Sequence, residues 1–140
     1  MESRLILLPA LAMVVLTFLV WCRMYIVRIG QVRREGIPPQ AVATSAQAAA
    51  RLTDTRASDN FRNLFELPVL FYLAVVVIAL SGTAGRGTLA LAWLFVALRV
   101  VHSVIHCSYN RVMHRFSVHF SSTLVLWGLW AMIAVELLRT

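Results

Sequence analysis

The sequence contains no lysine, only two cysteines and only six acidic residues among its 140 positions. The two cysteines, Cys22 and Cys107, both lie within apolar runs and provide no disulfide framework. Thirteen arginines give the chain a net charge of +7, but they lie between apolar runs and form neither a basic stripe nor a basic tail. The positive charge therefore predicts membrane topology, and no nucleic-acid partner.

Charged residues make up 14% of the chain, whereas 60% of its residues are hydrophobic. This is more apolar surface than a soluble domain of this length can bury. Four apolar runs approach or exceed the length of about 20 residues that is needed to cross the hydrocarbon core of a bilayer. We predict one all-α domain, a bundle of four transmembrane helices in a lipid bilayer, with helices at about 5–27, 64–81, 88–108 and 116–138.

The predicted helices are joined by one long connection, at about 28–61, and two short ones. The long connection breaks at Gly36-Ile37-Pro38-Pro39 and then contains an alanine-rich stretch that is typical of a short helix. The first and third connections hold eight arginines, whereas the opposite side of the membrane holds three. Because basic loops tend to stay in the cytoplasm, both termini are predicted to lie on the non-cytoplasmic side.

Polar residues recur at steps of three and four along the third predicted helix, which places them on one helical stripe. A second polar cluster opens the second helix, and polar side chains of this kind usually face a bundle interior or a cavity. An unpaired Arg99 would cost at least a few kcal/mol at this depth, so we predict that Glu66 pairs with Arg99 or Arg62. The polar residues are Arg62, Asn63 and Glu66 on the second helix, and Arg99, His102, His106 and Tyr109 or Asn110 on the third.

Two simpler interpretations apply to these residues. A single Glu–Arg pair is often structural, and a single transmembrane histidine often serves packing, but the convergence of seven polar residues near one leaflet favours a binding site. The spacing of His102 and His106 also suits a shared metal ion, with Glu66, His114 or His119 as further ligands. Arg99, one turn away, opposes that metal-binding hypothesis because it repels cations.

The second and third helices resemble those of the MAPEG family, the membrane-associated proteins in eicosanoid and glutathione metabolism. The similarity is carried by Arg62-Asn63-Leu64-Phe65-Glu66 with Pro68, and by the segment RVVH that starts at Arg99. The stretches ELPVLFY, RVVHSVIH and YNRVMHR resemble a bacterial branch of the family. The resemblance implies a homotrimer in the bacterial inner membrane, with glutathione or a similar thiol bound between subunits near the cytoplasmic side.

The resemblance also implies roles for individual residues. Asn63, Glu66 and Arg99 match family positions that hold glutathione, and His102 stands where members have histidine or tyrosine. Arg115 falls where some members place the arginine that activates the thiol, and is the predicted catalytic residue. The predicted ligand-binding set is Arg62, Asn63, Glu66, Arg99, His102, His106 and Tyr109.

The chain departs from the family pattern in three ways, the first being that Pro68 follows Glu66 by two residues where the family has three or four. His106 replaces a tyrosine that contacts the tripeptide, and Asp59 stands where an arginine is expected, so the ligand is glutathione or another thiol. The implied function is a thiol-dependent transferase or peroxidase that acts on a lipophilic electrophile. The alternative is a non-catalytic lipid-binding or scaffold protein with the same fold.

Overall fold

The computed structural model describes residues 2–139 of the chain, which are almost entirely helical and contain no strand. Seven α-helices and one short 3₁₀ helix occur in this part of the chain. They are α1 (Glu2–Leu5), α2 (Leu7–Glu35), the 3₁₀ helix (Pro39–Val42), α3 (Ser45–Arg51), α4 (Arg56–Asn63), α5 (Leu67–Ser81), α6 (Arg86–Cys107) and α7 (Val112–Arg139).

Four helical segments are long and apolar enough to cross a membrane: α2, α4 with α5, α6, and α7. α6 and α7 pack along each other, α5 packs on α7, and α2 packs on α4, α5 and α6. The prediction of an all-helical protein with four segments that are long and apolar enough to span a membrane is therefore confirmed. Many large apolar side chains of these segments remain exposed, as lipid-facing residues do.

The first long helix extends beyond its apolar run. The sequence predicted a helix over 5–27, but α2 continues to Glu35 and ends at Gly36, which adopts φ 61°. The length of an apolar run reflects the thickness of the hydrocarbon, whereas a helix ends where its backbone is capped or broken. Arg33 and Arg34 in the last turn also favour its continuation, because cations interact well with a helix C-terminus.

The second membrane-spanning segment is broken where the sequence predicted a helix over 64–81. α4 ends at Asn63 and α5 begins at Leu67, with Glu66 directly before it. Pro68 has no N–H to donate to the carbonyl of Leu64, so an unbroken helix would lose a hydrogen bond here. We call residues 63–66 the break segment, because it carries polar groups into the bundle. At the same end of the bundle, α7 begins at Val112, before the predicted 116.

The hydrophobic core lies on the membrane-spanning helices. Phe71 on α5 and Phe95 on α6 are both fully buried, and their rings stack with centroids 4.5 Å apart. Met13 from α2 and Leu126 and Leu129 from α7 complete the same cluster. This cluster holds the four segments together.

Replacing Phe71 with alanine is expected to lower the free energy of unfolding by about 3–5 kcal/mol, because it removes a stacked ring and leaves a cavity. Unfolding in detergent measures this change. Leu80→Ala is the control, since Leu80 is 84% exposed and should change stability by less than about 1 kcal/mol. Equal effects of the two substitutions would contradict the assigned core.

A polar network fixes the long connection to the bundle. The Gln31 side chain, which is buried, donates to Thr53 Oγ1 at 2.7 Å and accepts from the Asp54 backbone N–H at 3.4 Å. Asp54 accepts from Arg56 Nε and Nη2 at 2.9 and 2.8 Å, and Arg56 also donates to the Ser108 carbonyl. The network joins α2 and the long connection to the end of α6.

The Arg56 guanidinium, hydrogen-bonded to Asp54, holds the pKa of that carboxyl below its usual value. A lowered pKa stabilises the folded state above the unfolded pKa of about 3.9, and this contribution is lost as the pH falls through the folded pKa. Both side chains are partly exposed, so Asp54→Asn is expected to cost less than about 1 kcal/mol at pH 7. The difference from wild type should vanish in strong acid, and a difference that is constant with pH would contradict this assignment.

Candidate functional site

A polar cleft of about 250 Å³ opens beside the break segment, where α4 ends and α7 begins. The break segment contributes two of the lining side chains, α6 contributes one, and the start of α7 contributes the other four, two polar and two apolar. The lining residues are Asn63, Glu66, His102, Val112, Arg115, Phe116 and His119. Four of the predicted site residues, Asn63, Glu66, His102 and Arg115, therefore line one cleft.

Arg115 is held at the edge of this cleft by neutral acceptors. Its Nη1 atom donates to Asn110 Oδ1 at 2.7 Å and lies 3.1 Å from His106 Nε2. Because arginine can only donate, His106 Nε2 accepts and the imidazole is neutral. Arg115 Nε and Nη2 have no hydrogen-bond partner within residues 2–139. These two donors remain available to a ligand.

Arg99 lies behind the cleft instead of lining it. Its side chain is fully buried, Nη2 donates to the Asn63 carbonyl at 3.0 Å, and Nη1 lies 3.1 Å from His119 Nδ1. The Asn63 carbonyl is free to accept because the helix stops there. Arg99 thus connects the break segment to α7 through both terminal nitrogens of its guanidinium, whereas its Nε is buried without a partner among the described residues.

Glu66 forms no direct ion pair and no hydrogen bond with a described residue, so its predicted direct pairing with Arg62 or Arg99 is wrong, although Glu66 lies close enough to Arg99 to interact with it electrostatically. The single ion pair among the described side chains, those of residues 4–139, joins Arg56 and Asp54. The reason is the break before α5: Glu66 is exposed at the mouth of the cleft, while Arg99 binds the Asn63 carbonyl behind it. The Glu66 carboxylate is therefore free to bind a ligand.

The two histidines of α6 are both buried, and both contact Arg115. His102 Nδ1 lies 3.3 Å from the Arg115 carbonyl, and because a carbonyl only accepts, Nδ1 carries the proton. His102 lines the cleft, and its Nε2 is buried without a hydrogen-bond partner among the described residues. His106 does not line the cleft. Among the side chains that the structure describes, no group of three or more His, Cys, Asp or Glu residues is arranged to hold a metal ion. The metal-binding hypothesis therefore has no structural support.

Besides the buried Arg99 and His106, two further predicted site residues do not line the cleft. Arg62 is exposed on α4, and Tyr109 is exposed with its hydroxyl 3.2 Å from His114 Nδ1. Neither lines the cleft. The sequence placed Arg62 in the polar cluster of the second predicted helix and Tyr109 on the polar stripe of the third. Both sets of polar residues extend beyond the cleft.

His119 lines the cleft, although the sequence suggested it only as a metal ligand. It accepts from Arg99 through Nδ1, so its other nitrogen carries the ring proton. Its ring centroid lies 5.3 Å from that of His102. His119 follows Arg115 by one helical turn, so the i, i+4 spacing on α7 was the signal that pointed to it.

A larger apolar groove, of about 540 Å³, lies on the other side of the break segment. α2 contributes one wall and the helices around the break contribute the other. Its lining residues are Val14, Thr17, Phe18, Trp21, Phe61, Leu64, Phe65 and Tyr72. Asn63 and Glu66 thus line the polar cleft, while Leu64 and Phe65, between them in sequence, line the apolar groove.

Comparison with known proteins gives one match. The profile of the MAPEG family matches residues 6–135, which is nearly the entire chain. Searches of curated proteins and of solved structures give no match. The family match covers both the cleft and the apolar groove.

Proposed function

We propose a thiol-dependent function for this chain, which belongs to the MAPEG family. The family includes glutathione-dependent transferases and peroxidases. In this proposal the polar cleft binds glutathione or a related thiol, and the protein transfers it to a lipophilic electrophile or uses it to reduce one.

The observation that carries the proposal is the position of Arg115. Its guanidinium lines the cleft, is held by two neutral acceptors and has two nitrogens without partners. Arginine stays charged at any physiological pH, and a nearby cation favours the ionised, nucleophilic form of a thiol. Arg115 is therefore the proposed catalytic residue.

The other lining residues suit a small zwitterionic thiol. Glu66 offers an unpaired carboxylate for an ammonium group, and His102 Nε2 offers a buried acceptor without a partner. A thiol bound here would supply the reactive sulfur. Arg115 would stabilise negative charge on that sulfur, and Glu66 would orient the opposite end of the ligand.

The cleft of one chain, about 250 Å³, is smaller than the roughly 300–1,000 Å³ of typical small-molecule sites. This size supports a site that a neighbouring subunit completes, as in the homotrimer that we propose. The apolar groove would take the lipophilic partner from the bilayer. We also propose a bacterial inner membrane, on the resemblance to a bacterial branch of the family, and both termini on the non-cytoplasmic side, on the distribution of arginines.

Thermal unfolding in detergent tests ligand binding. Glutathione at 100 times its Kd should stabilise wild type by about 2.7 kcal/mol, because it binds only the folded state. Glu66→Gln should reduce this stabilisation, whereas Arg111→Leu should not, since Arg111 is exposed and does not line the cleft. If neither glutathione nor other small thiols stabilise the protein, the thiol-dependent function is wrong.

The second candidate is a non-catalytic lipid-binding or scaffold protein, and the apolar groove favours it. In that case the groove would bind an acyl chain without any reaction at the cleft. Consumption of thiol in the presence of a panel of lipophilic electrophiles separates the two candidates. Lipid binding without thiol consumption would favour the second.

A further inference from the structure

The connection between α6 and α7 carries an unusual residue beside the proposed catalytic arginine. Asn110 has φ 49°, and within residues 2–139 it is the one residue other than glycine with positive φ. Its backbone N–H donates to the Ile105 carbonyl at 2.9 Å, and its side-chain Oδ1 accepts from Arg115 at 2.7 Å. One residue therefore closes the end of α6 and contacts the guanidinium.

The choice of asparagine at this position has a physical explanation. Glycine adopts positive φ with less strain than any other residue, and asparagine is among the few others that tolerate it. Glycine, however, has no side chain that could accept a hydrogen bond from Arg115. Asparagine satisfies both requirements, which indicates that the side-chain contact is part of the function of this connection.

His106 contributes the second contact to the same Nη1 atom. It is buried, its Nε2 accepts from Arg115 at 3.1 Å, and its Nδ1 has no partner among the described residues. Asn110 and His106 are both neutral acceptors. They therefore fix the direction of the guanidinium and leave its charge intact. A carboxylate in the same place would neutralise that charge.

We propose that Asn110 and His106 are positioning residues that direct Arg115 toward the cleft and leave its full charge available to a bound sulfur. The inference rests on the proposed thiol-dependent function. It also gives His106 a role different from direct ligand contact, in agreement with its place behind the cleft lining.

The test compares the affinities of glutathione and S-methylglutathione, which has no ionisable sulfur. Above the pKa of the bound thiol, the ratio of the two affinities reports how strongly the site favours the thiolate. Asn110→Gly keeps the backbone conformation and removes the acceptor. It is expected to reduce the ratio about tenfold, which corresponds to one pKa unit of the bound sulfur. Calorimetric titration at pH 7 to 9 measures both affinities.

Three further variants separate positioning from a structural role. His106→Gln restores a neutral acceptor and should leave the ratio within about twofold of wild type, whereas His106→Leu should lower it like Asn110→Gly. Asn110→Asp keeps the acceptor but adds a negative charge, and should also lower the ratio because it neutralises Arg115. Thermal unfolding checks that each variant is folded.

An unchanged ratio in Asn110→Gly, or an equal loss of affinity for both ligands, would overturn the positioning role while leaving the thiol-dependent function in place. If wild type binds neither ligand, the thiol-dependent function fails, and the positioning role fails with it. The two failures are therefore distinguishable.

Discussion

Replacing Arg115 with leucine is expected to lower kcat by about 10²–10³-fold, the usual cost of removing a group that stabilises developing charge in an active site. The affinity for the thiol should fall much less, because Glu66 and His102 remain in the cleft. Steady-state kinetics with a lipophilic electrophile measure the two effects separately. The substitution removes a charge that acts mainly as the sulfur ionises and reacts.

Arg115→Lys and Arg111→Leu are the controls for this substitution. Lysine keeps the positive charge but has no planar fork, so Arg115→Lys should have an intermediate kcat. Arg111 is exposed and outside the cleft, so Arg111→Leu should behave as wild type. A loss of affinity in Arg115→Leu with unchanged kcat would show that Arg115 binds the ligand without assisting the reaction.

Arg99→Leu is expected to lower the free energy of unfolding by about 2 kcal/mol. It leaves two acceptors inside the protein, the Asn63 carbonyl and His119 Nδ1, without their donor, and each such group costs about 1–3 kcal/mol. Removal of the buried charge offsets part of this cost. Ligand affinity should fall as well, since Asn63 and His119 both line the cleft. Denaturant unfolding in detergent, checked by gel filtration, measures the loss of stability.

Arg62→Leu is the matched control, because Arg62 is an exposed arginine of α4 that lies outside the cleft. Its effect on stability should stay within about 0.5 kcal/mol. If Arg99→Leu were as stable as wild type, the two hydrogen bonds of Arg99 would do no more than balance the cost of burying its guanidinium.

The amino-acid sequence by itself determined the class of protein and the helix that carries the buried polar groups. Apolar runs of sufficient length can only be satisfied in a bilayer, so four membrane-spanning segments followed from composition and spacing. Steps of three and four also identified Arg99, His102 and His106 as one stripe of α6, and all three are buried. A helical repeat fixes which residues share a face.

Only the tertiary structure decided which of those residues reach the cleft. Periodicity does not specify how far a helix is rotated against its neighbours or where a proline interrupts it. The break before α5 therefore left Glu66 unpaired and gave Arg99 the Asn63 carbonyl as its partner. The packing of α7 on α6 brought His119 into the cleft and placed Arg115 between His106 and Asn110, because these contacts depend on the distances between helices and not on spacing along one of them.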